Sequence, residues 1–329
     1  MISKTSGYIK NRLKNAKNTG VRQTAKRVLL GGNEKMGILP KSVIYILLTV
    51  IAYVYLYPLL YMLATSFKSL GDLIDSSVKW IPSKMYPDNY RQALSVMHFK
   101  DTLFNTLLLT LVPALLQVVT ASLAGYAFAS YRFRGRGLLM AALIFTFVLP
   151  KQATMMPTFL LFKELDIIGT AKAAILPAVL GQGFNSTIIT LIFYQFYSQI
   201  PVSFVEAAKL DGCGHIKVFY KIALPMVKAA FIIGFLFSFV WYWNETYFTN
   251  LFVAGTGLGN KETISTLLIE LSRFEASYQL LYPEAGSVSR INESIVMAGT
   301  MLCIAPLLLL YFAMQRYFVQ SVDMVGLKE

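Results

Sequence analysis

Six apolar runs, each longer than the roughly 20 residues needed to cross a hydrocarbon core, limit what this chain can fold into: 43–63, 103–129, 138–160, 173–197, 225–248 and 293–315. Backbone placed in lipid must satisfy its own hydrogen bonds, and single segments of this length do so as helices. The expected fold class is an all-α membrane protein with about six transmembrane helices. Composition agrees, because 56% of the 329 residues are hydrophobic and only 14% charged, unlike an ordinary soluble domain.

The third run is interrupted by "LPKQATMMP", where Pro150 and Pro157 should break or kink the helix and leave Lys151 at membrane depth. Ala121, Gly125 and Ala129 recur every four residues in the second run, a small-residue stripe that lets another helix approach closely. Cys213 and Cys303 cannot build a disulfide framework, and with His98 and His215 they complete no zinc site of standard spacing. Cys213-x-His215 is half a site and reads as coincidence, so no metal is expected.

A net charge of +13 would suggest nucleic acid in a soluble protein, but its distribution argues for a membrane and no nucleic-acid partner. Residues 1–42 hold ten Lys or Arg against one acid, Glu34, and no secretory signal precedes them. This basic tail is expected in the cytoplasm, either as a basic amphipathic helix on anionic lipid around "VRQTAKRVLL" or as a solvated chain. Placing it inside puts 131–137, 198–224 and 316–329 inside as well, with 64–102, 161–172 and 249–292 outside. The inner segments then carry 18 Lys or Arg in 90 residues and the outer ones 10 in 95, which supports both termini in the cytoplasm. The division is a tail, 1–42, and a transmembrane domain, 43–329, with an inner loop at 198–224 and a long outer loop at 249–292.

The inner loop is the unusual part. "PVSFVEAAKLDG" reads as a short helix opening near Pro201 and stopped by Asp211-Gly212. "CGHIKVFYKIALP" follows, with Ile216, Phe219, Tyr220 and Ala223 expected on one helical face and Pro225 opening the next span. The product is a helix-turn-helix knob, half apolar and half charged. Periodicity alone leaves two uses for it: docking in the groove of a soluble partner, or resting on lipid headgroups.

Residue identity goes further. Glu206-Ala207-Ala208, three residues, Gly212, nine residues, then Ile222-x-Leu224-Pro225 resembles the EAA motif of permease subunits of binding-protein-dependent ABC importers. "PDNYRQAL", "FNTLLLT", "AGYAFASYRFRGR", "VLPKQATMMPTFLLFKELDIIGT", "WYWNETYF" and "MQRYFV" resemble the carbohydrate-uptake branch, specifically the second permease of maltose-type importers, over about 43–329. The tail is longer than in that pattern, and "SVDMVGLKE" departs from its Gly-rich ending.

The resemblance implies a type I ABC importer permease fold in a bacterial inner membrane. It also implies a heterodimer with a second permease, two ATPase subunits that hold ATP and Mg, and a solute-binding protein. The knob would be a coupling helix in a cleft of the ATPase. Glu206 would pair with a basic group there, Ala207 and Ala208 would allow close packing, and Asp211-Gly212 would make the turn. The chain itself has no G-x-x-x-x-G-K-[ST] and no catalytic cluster, so it is not expected to be an enzyme or to bind a cofactor.

The carbohydrate path is expected to use Gln182 and Asn185 of "GQGFNST", with Trp241 and Asn244 of "WYWNETYF". Each has a plainer role open to it, interhelical hydrogen bonding for the amides and an interfacial aromatic belt for the tryptophan. Lys151 costs about 2.5–3.5 kcal/mol at the bilayer centre, and either snorkels to the outer interface or faces a cavity as a cation. Gly255, Gly257 and Gly259 would form the flexible tip of a loop that reaches into the binding protein, the alternative being a plain solvent loop. An ion-coupled secondary transporter of a small polar solute is the competing class, but it would want deep carboxylates that these spans lack. An intramembrane enzyme would need catalytic groups at depth.

Overall fold

The structure is a computed structural model that describes residues 31–32, 35–254, 264–283 and 291–326. It divides into two units, 1–64 and 65–329. In the first, a two-residue antiparallel ladder, β1 (Gly31–Gly32) with β2 (Lys35–Met36), departs slightly from the all-helical expectation. It precedes α1 (Ile38–Ser66), 29 residues or about 43 Å of helix. Its Leu, Val, Ile and Tyr side chains are exposed almost all round, as suits a helix whose solvent is lipid.

The second unit opens outside the apolar runs with α2 (Leu70–Ile74) and α3 (Asp88–Val96). Ser69 caps α2 by accepting from the Asp72 amide, while Asp72 accepts from the Ser69 amide, a reciprocal capping box. The central element is α4 (Phe99–Ser130), 32 residues long. There follow α5 (Arg136–Val148), α6 (Lys151–Glu164), α7 (Lys172–Val179) and α8 (Ser186–Ser198). The knob comprises α9 (Val202–Leu210), α10 (His215–Val218), a π-helical turn π1 (Phe219–Ala223) and α11 (Leu224–Met226). The chain then runs through α12 (Lys228–Asn244), a second π turn π2 (Thr249–Val253), α13 (Leu267–Ser272), α14 (Phe274–Leu281) and α15 (Glu293–Gly326).

Among the described residues, three helices, α1, α4 and α15, are long and apolar enough to cross a membrane unaided, and the number rises to six if each bent helix pair counts as one span. The third span breaks at Pro150, where α5 and α6 meet at 98°. Pro157, expected to break or kink the helix, does not break it and lies inside α6. The fourth span is not the continuous helix expected over 173–197, because it is interrupted between Val179 and Ser186, with Gly181 and Asn185 both in the left-handed region. The fifth starts at Lys228 rather than Pro225, after a 74° bend at Val227.

Packing is organised around α4. One core cluster joins it to α3, α12, α13, α14 and α15 through Ala93, Met97, Phe239, Trp243, Leu267 and Phe274. A second joins it to α8, π1 and α12. The small-residue stripe serves the α4–α8 contact: a Cβ on Gly125 would lie 2.6 Å from Phe193 Cβ and 2.8 Å from the Tyr194 amide nitrogen. The segment 249–292 is no plain solvent loop where it is described, because Leu267, Ile269, Phe274 and Tyr278 are buried. The Leu267 amide also donates to Thr106 Oγ1 at 2.9 Å.

Candidate functional site

Two places stand out, the knob and a layer of broken helices above it. In the knob, α9 ends in a Schellman turn: the Gly212 amide donates to Lys209 O at 3.0 Å and the Cys213 amide to Ala208 O at 2.9 Å. That turn needs a positive φ, and Gly212 supplies +77° at no steric cost. Ala208 is buried under the turn, while Glu206, Ala207 and Asp211 face solvent. Phe204, Leu210, Ile216 and Tyr220 are also exposed, Leu210 at 89%, an apolar surface interleaved with Glu206 and Lys209.

The expected single apolar face of Ile216, Phe219, Tyr220 and Ala223 does not form. Phe219 and Ala223 are buried, whereas Ile216 and Tyr220 point outward. The π turn puts one extra residue into the helix and rotates the face, which a 3.6-residue period cannot anticipate. The inward side is the root of the knob. Phe219 lies 4.8 Å from the Tyr126 ring, Tyr126 lies 5.1 Å from Tyr197, and the Tyr197 hydroxyl bonds Ser122 Oγ at 2.8 Å. Ile222 and Leu224 are half-buried beside it, and Pro225 is exposed at the bend.

The upper layer follows from helix lengths. Both α5 and α8 are 13 residues long, so each breaks about 20 Å from its knob-proximal end. Gln117 stands thirteen residues before Ser130, the last residue of α4, and so reaches the same height. It is fully buried. Its amide donates to Phe184 O at 2.8 Å and Ser238 Oγ at 3.2 Å, and its oxygen accepts from the Tyr242 hydroxyl at 3.0 Å. Thr120 Oγ1 donates to Ala178 O at 3.1 Å. Side chains of α4 thus bond backbone carbonyls at the break in the fourth span, where the helical ladder stops. Gly183 is required here, since a Cβ would run into Gln117 Oε1 and the Tyr242 hydroxyl.

Phe184 is the hub of this layer. Its ring lies 4.9 Å from Tyr242, 5.0 Å from Phe248 and 4.7 Å from Lys151 Nζ. Gln182 is exposed beside it and Asn185 half-buried, so the structure gathers Lys151, Gln182 and Asn185 at one break. It does not gather Trp241 and Asn244 there. Trp241 stacks on Phe237 at 5.6 Å, and Asn244 donates to Val240 O of its own helix. Tyr242 and Trp243 pack inside the protein and form no lipid-facing belt. Sequence reasoning missed Gln117 and Phe184, although an amide inside the run "ALLQVVTA" is itself a signal. Gly255, Gly257 and Gly259 lie outside the described residues, as does most of the basic tail.

The chain resembles known proteins. The chain is 30% identical over 279 residues to the polygalacturonan/rhamnogalacturonan transport system permease protein YtcP of Bacillus subtilis, covering 84% of this chain and 94% of that one. It is 27% identical over 281 residues to the arabinooligosaccharides transport system permease protein AraQ of Halalkalibacterium halodurans, covering 84% and 93%. Among solved structures, a chain of a bacterial ABC transporter involved in the import of the acidic polysaccharide alginate superposes with a TM-score of 0.71 at 22% identity, over 84% of this chain and 96% of that one. That likeness shows a shared fold. Residues 117–324, more than half of the chain, match the sequence model of one family, and the chain belongs to it: the binding-protein-dependent transport system inner membrane components.

Proposed function

We propose that the chain is one half of a heterodimeric permease that imports an oligosaccharide, driven through its knob by ATPase subunits that hold the ATP and Mg. Members of the family are multi-pass inner-membrane transport components, not enzymes, and work with a partner permease, ATPase subunits and a binding protein. Carbohydrate is supported by the relatives, whose named cargoes are glycans both acidic and neutral.

The observation that carries the coupling role is the split surface of the knob. Its outer side offers Phe204, Leu210, Ile216 and Tyr220 around Glu206, while its root is locked to α4 and α8 through Phe219, Tyr126 and Tyr197. A cleft that closes on the outer side moves the root, and the bundle is biased between its inward- and outward-open states. Glu206 would fix orientation against a basic group, Ala207 would permit close approach, and Asp211-Gly212, Ile222, Leu224 and Pro225 would hold the shape of the elbow. Gln182 and Asn185 supply donors and acceptors for sugar hydroxyls. Trp241 and Asn244 are weaker members of that path, and Gly255, Gly257 and Gly259 remain the proposed contact with the binding protein.

The test is reconstitution with the partner subunits. Gly212→Pro forces φ to about −65° and deletes a turn hydrogen bond, and Glu206→Gln removes the charge. Both should retain assembly and ATP hydrolysis and lose import at least tenfold. Normal import by Gly212→Pro would remove the lever.

A further inference from the structure

Lys151 is the cation of the break layer, and no ion pair within the chain neutralises it. It forms none with an acid among the described residues. The acid whose charge reaches it is Glu245, which spends Oε1 on the Phe248 amide at 2.8 Å. The side chain does not stretch away from the layer, because its ammonium rests on the Phe184 ring at 4.7 Å. It is nevertheless exposed on the surface of this chain, as is Gln182, two residues before Phe184 in the sequence.

We infer that Lys151 is a carboxylate-binding group on the translocation path, and that the cargo is an anionic oligosaccharide bearing uronate groups. This rests on the carbohydrate reading above. The physical reason is a comparison of cargoes. A neutral sugar needs only hydroxyl partners, which Gln182 and Asn185 provide without the penalty of a cation at depth. A carboxylate crossing the same layer needs a counter-charge, and a charge-assisted hydrogen bond from an ammonium is about twice as strong as a neutral one. The face of Phe184 gives the cation a resting partner between cargoes, so binding need not be tight. A path requires that what enters can leave.

The test uses the complete importer in vesicles, with saturating liganded binding protein and either a uronate trisaccharide or its methyl-esterified, uncharged form. Lys151→Met should lower uronate uptake at least tenfold, and Lys151→Gln should do the same. Lys151→Arg should stay within about threefold of wild type, with co-purification of the second permease and basal ATPase unchanged in all three. Wild-type uronate uptake by Lys151→Met overturns the inference. So does loss of the second permease from Lys151→Met but not from Lys151→Arg, since the cation would then serve subunit pairing. Uptake of only uncharged oligosaccharides by the wild type also overturns it, and leaves the carbohydrate reading standing. Uptake of no oligosaccharide of either kind would instead sink the carbohydrate reading itself.

Discussion

Gln117 shows how one side chain can hold an irregular backbone in a membrane bundle. Fully buried, it uses both ends of its amide on Phe184 O, Ser238 and Tyr242, the first from the break in the fourth span and the other two from α12. Gln117→Leu conserves much of the volume and leaves three polar groups without their partner. Each such loss costs about 1–3 kcal/mol. The variant should melt several degrees lower in detergent and import poorly, whereas Gly125 and the knob would be untouched. An unchanged melting temperature would mean that the break is ordered by something other than this amide. Asn185 and Gly181, in the left-handed region, set the path of the chain, and Gln117 keeps it there.

Among the described elements, the α4–α8 contact is the most extensive, and Gly125 lets the two backbones meet. A leucine there would meet Phe193 Cβ and the Tyr194 backbone at distances no real side chain tolerates, so the two helices would have to part. Gly125→Leu should therefore abolish accumulation of folded protein, with Gly125→Ala intermediate, as read by detergent-resistant yield. This packing was legible in the sequence, since Ala121, Gly125 and Ala129 announce it by spacing alone. The spans were legible too, because hydropathy over twenty residues is a strong signal. The break in the fourth span was not, as a few polar and glycine residues within an apolar window leave the average high. Nor was the burial split in the knob, which the π turn creates by shifting the period at Phe219–Ala223. The helix-turn-helix and its Gly212 elbow followed from turn chemistry, and Phe184 escaped notice because nothing in the sequence marks one phenylalanine among 23 as a hub.

For the molecule as a machine, α8 matters most, because its two ends belong to the two candidate sites. Tyr197 near one end packs into the root of the knob, and Asn185 at the other borders the layer with Phe184 and Lys151. A rigid rod about 20 Å long converts displacement at the knob into displacement at the break. Its rigidity comes from an unbroken hydrogen-bond ladder and from Ile189 and Phe193, both fully buried against α4 and α12. A proline inside the helix should uncouple the ends without stripping either site. Gln195 is exposed, so Gln195→Pro introduces no clash with the core and acts mainly through the ladder, at a cost of about 3 kcal/mol. Paired with Gln195→Ala as the control for the lost side chain, it should leave assembly and ATP hydrolysis near normal and lower import at least tenfold. Equal import by the two variants, in a preparation where both assemble, would show that force reaches the layer by another route. The alternative is α12, which runs from the bend at Val227 past Tyr242 to Asn244.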